Sequence, residues 1–154
     1  MEPKAPTPRQ QFNGMRTIWL ALMAGPLVFM AVVLFLSIEL GSVPELMTLA
    51  PVVVLGGMGA SELVYRKLAG QAAEKISLAD KLTAYQPALL VRAALLEAGS
   101  LLATVAYSLS HAQWLLAFAI VPVAYMAMHI PTAAKLENDL RLSPEDTEQL
   151  KLAS

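Results

Sequence analysis

From Thr17 to Ile38 the chain carries no charged side chain, and three further apolar runs follow at residues 46–61, 88–110 and 114–130. A helix rising about 1.5 Å per residue needs roughly 20 apolar residues to cross about 30 Å of hydrocarbon. The first and third runs meet that length. The second approaches it with Glu62 and Leu63 drawn into the membrane, and the fourth is slightly short. The first run does not read as a secretory signal, because more apolar segments follow it in place of a polar mature chain. Only 15% of the residues are charged and 56% are hydrophobic, whereas soluble domains are nearer one quarter charged. The expected fold is all-α: an integral membrane four-helix bundle over residues 16–131, with a re-entrant second segment as the alternative.

Charge placement orients the bundle. The 11 lysines and arginines fall in three groups: Lys4, Arg9 and Arg16; Arg66, Lys67, Lys75, Lys81 and Arg92; Lys135, Arg141 and Lys151. None lies in "ELGSVPE" or "SHAQ", the short turns on the other side. The positive-inside rule then predicts that both termini and a middle loop over residues 65–87 are cytoplasmic, with the protein multi-pass and in contact with lipid. Trp114 is expected as an outer interfacial anchor, and Trp19, Tyr65 and Tyr85 as inner ones.

The proline-rich, polar start, "MEPKAPTPRQQ", predicts a flexible arm over residues 1–15. The end, residues 132–154, predicts a helical tail. Pro131-Thr132 reads as the start of one helix, and Ser143 as the N-cap of another with Pro144 in its first turn. Leu136, Leu140 and Leu150 are expected to pack on the bundle or in the headgroup region. The basic residues are spread out and balanced by acids, which argues against a nucleic-acid partner. With no cysteine in the chain, disulfides and thiol chemistry are excluded.

Few residues remain that carry chemistry. Counting from Ser110, Glu97 lies 13 residues down the third run, roughly 20 Å into the membrane. A lipid-facing carboxylate there would be costly, so Glu97 is expected to face the bundle interior or to hold a proton. Ala93, Glu97, Ser100 and Thr104 make a small, polar stripe at helical spacing. Tyr125 falls near the depth of Glu97, so Glu97, Tyr125 and Ser100 form a candidate proton or ion site. Glu62 and Arg92 reach similar depths on neighbouring runs and form a candidate ion pair. In "GGMGASE", Gly56, Gly59 and Ala60 are expected to let a neighbouring helix approach closely. No nucleophile triad, phosphate loop or convergent metal ligands stand out, so neither a catalytic activity nor a cofactor is expected.

The segment "LGGMGASELVYRKLAGQAAEKI" followed by "QPALLVRAALLEAGSLLATVAY" resembles the helical hairpin of the rotary ATP synthase proteolipid, its c subunit, over residues 55–107. The resemblance implies a glycine-rich helix, a cytoplasmic loop and a second helix whose ion-binding carboxylate would be Glu97. The whole chain also resembles small bacterial four-span inner-membrane proteins. The function expected from the sequence is an accessory or scaffold role, with protein partners or as a homo-oligomer. The alternative is proton or ion translocation through the intramembrane carboxylate.

Overall fold

The computed structural model describes residues 7–36 and 43–151. It is all-α, with six helices in the described residues: α1 (Pro8–Leu36), α2 (Pro44–Ala73), α3 (Leu78–Ser110), α4 (Leu115–Met128), α5 (Ala133–Leu140) and α6 (Pro144–Lys151). Three of them, α1 to α3, are long and apolar enough to cross a membrane, and the pair α4–α5, bent by 84°, makes a fourth if counted as one.

The helices begin earlier and the joins are shorter than expected. The arm foreseen over residues 1–15 is helical from Pro8, because "TPRQ" makes a reciprocal cap. Gln10 N–H donates to Thr7 Oγ1 at 3.3 Å while Thr7 N–H donates to the Gln10 side-chain carbonyl at 3.0 Å. Phe12 and Met15 then pack inward and are buried. Residues 1–6 lie outside the described part.

Within residues 65–87, a loop long enough for helical turns that extend the spans, α2 runs on to Ala73 and α3 starts at Leu78, leaving residues 74–77 between them. Ser77 caps α3 by accepting from Asp80 N–H at 3.1 Å, and Leu78, Leu82, Tyr85 and Leu89 follow at helical spacing and are all buried.

α3 is the axis of the bundle and packs against α1, α2 and α4. Half of its most apolar stretch is buried, against 17% for α1 and α2. The outer faces of those two helices, among them Phe35 on α1 and Val52, Leu55 and Leu63 on α2, are exposed apolar surface suited to lipid contact.

The close approach of α2 and α3 depends on glycines other than those singled out in the sequence. A Cβ on Gly99 would sit 3.5 Å from the Val54 backbone, and one on Gly57 3.6 Å from the Leu95 carbonyl oxygen. Gly56 and Gly59 have nothing within 4 Å and face outward.

α4, with 14 residues, spans only about 21 Å. It nevertheless returns the chain to the end where α1 begins. Gln11 of α1 bonds Thr83 of α3 at 3.4 Å, and Lys81 of α3 bonds the Leu140 carbonyl of α5 at 3.3 Å, so the start of α1, the 74–77 turn and the tail share one end.

In the tail, Thr132 and not Pro131 is the cap of α5, accepting from Lys135 N–H at 3.3 Å. Proline has no N–H to leave unpaired and sits one residue outside the cap. Ser143 caps α6 from Asp146 N–H at 3.1 Å. Leu136, Leu140 and Leu150 are buried in the main core.

Two further expectations change. Trp19 is not an interfacial anchor: it is 1% exposed, and its indole N–H donates to the Met126 carbonyl at 3.1 Å. Tyr65 and Tyr85 are buried as well, because the tail folds back over them. Trp114 is exposed and edge-on to Phe118.

Candidate functional site

Two polar centres stand among the described residues, and they differ in how far their groups are already engaged. The first joins α2, α3 and α4. Glu62 Oε2 accepts from Arg92 Nη2 at 2.7 Å and from the Tyr125 hydroxyl at 3.0 Å, and Arg92 Nη2 also donates to the Tyr125 oxygen at 2.9 Å. Glu62 Oε1 accepts from Arg66 Nε at 2.8 Å. Both carboxylate oxygens of Glu62 are therefore used. Arg92 is 2% exposed, and its guanidinium carbon lies 4.3 Å from the Tyr65 ring centre and 5.3 Å from that of Tyr125. A buried guanidinium is tolerated here because it has an anion in contact and two aromatic faces over its planar surface. Its Nε has no partner.

The Tyr65 ring links this centre to the tail. Its hydroxyl bonds both the Tyr85 hydroxyl and Asp139 Oδ2, and the Tyr85 hydroxyl donates to the same carboxylate oxygen at 2.8 Å. Lys81 Nζ donates to the Leu140 and Arg141 carbonyls at 3.3 and 3.5 Å, satisfying acceptors left open at the end of α5. Arg141 itself closes α5 at φ 48°. Burial pushes the Lys135 ammonium below the usual lysine range, Arg92 adds to that, and Asp139 opposes it. His129 Nδ1 lies 2.8 Å from the Tyr125 carbonyl, so that nitrogen carries the hydrogen.

The second centre is Glu97. Its side chain lies between α3 and α1, with Oε1 2.9 Å from the position a Cβ on Gly25 would take. It makes no hydrogen bond and no ion pair among the described residues. The candidate set of Glu97, Tyr125 and Ser100 is not brought together: Tyr125 is held by Glu62 and Arg92, and the Ser100 hydroxyl donates to the Ala119 carbonyl of α4 at 2.6 Å. The Glu97 carboxyl turns toward Gly25 of α1 while Tyr125 comes from α4, and the backbone of α4 lies directly across from Ser100. Ala93, Ser100 and Thr104 of the polar stripe are buried. The candidate pair of Glu62 and Arg92 is in direct contact.

The sequence reading did not find Asp139, Lys81 or the joint role of Tyr65 and Tyr85. One signal was available: Glu62, Tyr65 and Arg66 fall on one helical face. Asp139 is nearly half the chain away from Tyr65, and no spacing rule links them. No group of three or more His, Asp or Glu able to hold a metal occurs among the described residues. Comparison of the chain with family models, curated proteins and solved structures finds no match.

Together these elements describe a membrane-embedded helical protein with a buried Arg92–Glu62 salt bridge inside two candidate spans.

Proposed function

We propose that the protein binds and releases protons at Glu97 within the membrane, and that this exchange, rather than conversion of a chemical substrate, is its activity. One observation carries the reading: Glu97 is a carboxyl inside a spanning helix that the fold leaves unpaired. Glu62, by contrast, is consumed by Arg92, Arg66 and Tyr125. A proton placed on Glu62 would dismantle three contacts, whereas one exchanged at Glu97 leaves every contact of the bundle in place. Ionisable groups at membrane depth are costly and are read by default as marks of an ion or proton pathway.

The resemblance of residues 55–107 to the proteolipid hairpin supports the same role for Glu97. Gly25, which makes room for the carboxyl, comes from outside that segment. The clustering of basic residues supports an orientation in which the end bearing α5 faces the cytoplasm.

Infrared difference spectroscopy on the reconstituted protein tests the reading. A protonated carboxyl band that shifts in heavy water and disappears in Glu97→Gln is expected. If the whole pH-dependent carboxyl signal survives that substitution, Glu97 is not the exchanging group.

A further inference from the structure

At the end of the bundle that carries the tail, α2 and α5 diverge around a cleft of about 530 Å³, within the roughly 300–1,000 Å³ typical of small-molecule sites. Its floor is the small-residue stretch Ala69, Gly70 and Ala73, and a Cβ on Gly70 would meet nothing within 4 Å. Its walls carry two guanidiniums, Arg66 and Arg141, and two carboxylates, Glu74 and Asp139. Arg66 is held only at Nε, by Glu62, and Asp139 only at Oδ2, by the two tyrosine hydroxyls, so groups of both signs remain open to the cleft. It suits a ligand bearing both charges a few bonds apart.

Beyond the cleft, the same face of α2 is apolar. Val52, Gly56, Gly59, Leu63, Arg66 and Gly70 recur at intervals of three and four residues and share one face of α2. Gly56 and Gly59 have open space over them, while Val52 and Leu63 are 64% and 72% exposed. The exposed face of α2 next to the charged cleft is therefore apolar, with a low spot at the two glycines between Val52 and Leu63.

We propose that this face binds an aminophospholipid of the phosphatidylethanolamine type. The phosphate lies between Arg66 and Arg141, the ammonium turns to Glu74 and Asp139, and one acyl chain rests over Leu63, Gly59 and Gly56. A primary ammonium donates hydrogen bonds to carboxylates and a trimethylammonium does not, which selects ethanolamine over choline. A second copy of the chain is the other occupant a glycine-floored membrane face accepts. The charges of both signs beside this face and the 76% exposure of the Arg66 side chain favour a zwitterionic headgroup over an apolar helix face. The site stands apart from Glu97 and does not depend on its role.

Native mass spectrometry of the delipidated protein in detergent, titrated with dioleoyl phosphatidylethanolamine, phosphatidylcholine or phosphatidylglycerol, tests the proposal. One phosphatidylethanolamine per chain is expected, at about tenfold lower lipid concentration than either of the others. Gly70→Phe, which fills the cleft from its floor, should weaken that adduct about tenfold. The exposed double variant Glu74→Gln/Arg141→Gln should do the same with an unchanged melting temperature. Equal binding of the three lipids, tighter binding of phosphatidylglycerol, or adducts unaffected by the double variant would overturn it. So would glycerophosphoethanolamine binding as tightly as the lipid, or a dimer that Gly59→Leu disperses.

Discussion

The carboxyl of Glu97 occupies the space that Gly25 leaves by lacking a side chain: its Oε1 stands 2.9 Å from where a Cβ on that glycine would be. The atom in the way is the free end of a flexible side chain. Gly25→Ala should therefore move the carboxyl without breaking the α1–α3 contact, keeping stability within about 1 kcal/mol of the native protein, helped by the better helix propensity of alanine. The melting temperature in detergent and the infrared carboxyl band check this together. The expected result is a small thermal change with a shifted band, and a large loss of stability would mean that the glycine is needed for helix packing itself.

Removing Arg92 should be the most damaging single change in the bundle. Arg92→Ala leaves Glu62 with only Arg66 and Tyr125, empties the space between two tyrosine rings, and should cost about 3–5 kcal/mol. Glu62→Gln combined with Arg92→Met removes both charges and should recover much of that loss, because neither is then left unpaired. Thermal unfolding of Glu62→Gln, of Arg92→Met and of their double variant in one detergent gives the cycle. Additive losses would show that the pair does not act as a unit.

Asp139→Ala removes the acceptor shared by the Tyr65 and Tyr85 hydroxyls. The cost should be about 1–3 kcal/mol, the range for leaving a buried polar group unsatisfied, and it should fall mainly on the docking of α5. Limited proteolysis measures it: cleavage between α5 and α6 should accelerate about tenfold at unchanged protease, with the spanning core intact. A cleavage rate equal to the native one would mean that Lys81 and the buried leucines hold the tail unaided.

Gly99 and Gly56 should respond oppositely to leucine. Gly99→Leu drives a side chain into Val54 and should destabilise by about 1–3 kcal/mol, as overpacking does. Gly56→Leu enters open space and should stay within about 0.5 kcal/mol of the native protein. Their melting temperatures, measured side by side, decide whether the outward face of α2 is free within one chain.

What the sequence made legible were features governed by local rules. Long uncharged runs dictate helices in a membrane, and depth counted along them brought Glu62 and Arg92 to the same level, where they meet at 2.7 Å. Ser143 was readable as a cap because capping is a contact over three residues. The caps at Thr7 and Ser77 obey the same rule, but proline and charge around them read as arm and loop.

Other features were not legible because they depend on which way a helix is rotated. Gly57 and Gly99 face each other's helices while Gly56 and Gly59 face out, and adjacent glycines look alike in a sequence. Trp19 and Tyr65 sit where interfacial anchors sit, and only the return of α4 and α5 over them turns them into core. Tyr125 meets Arg92 and not Glu97 because Glu97 turns toward α1, a rotation that a count of residues does not give.

Proton movement itself tests the central claim most directly. The protein is reconstituted into liposomes containing a pH-sensitive dye, and a potassium diffusion potential is applied with valinomycin. The account predicts a proton flux at least about tenfold above empty liposomes, abolished by Glu97→Gln and kept by Gly56→Leu. A wild-type flux no greater than that of empty liposomes, or a Glu97→Gln flux equal to wild type, would contradict it.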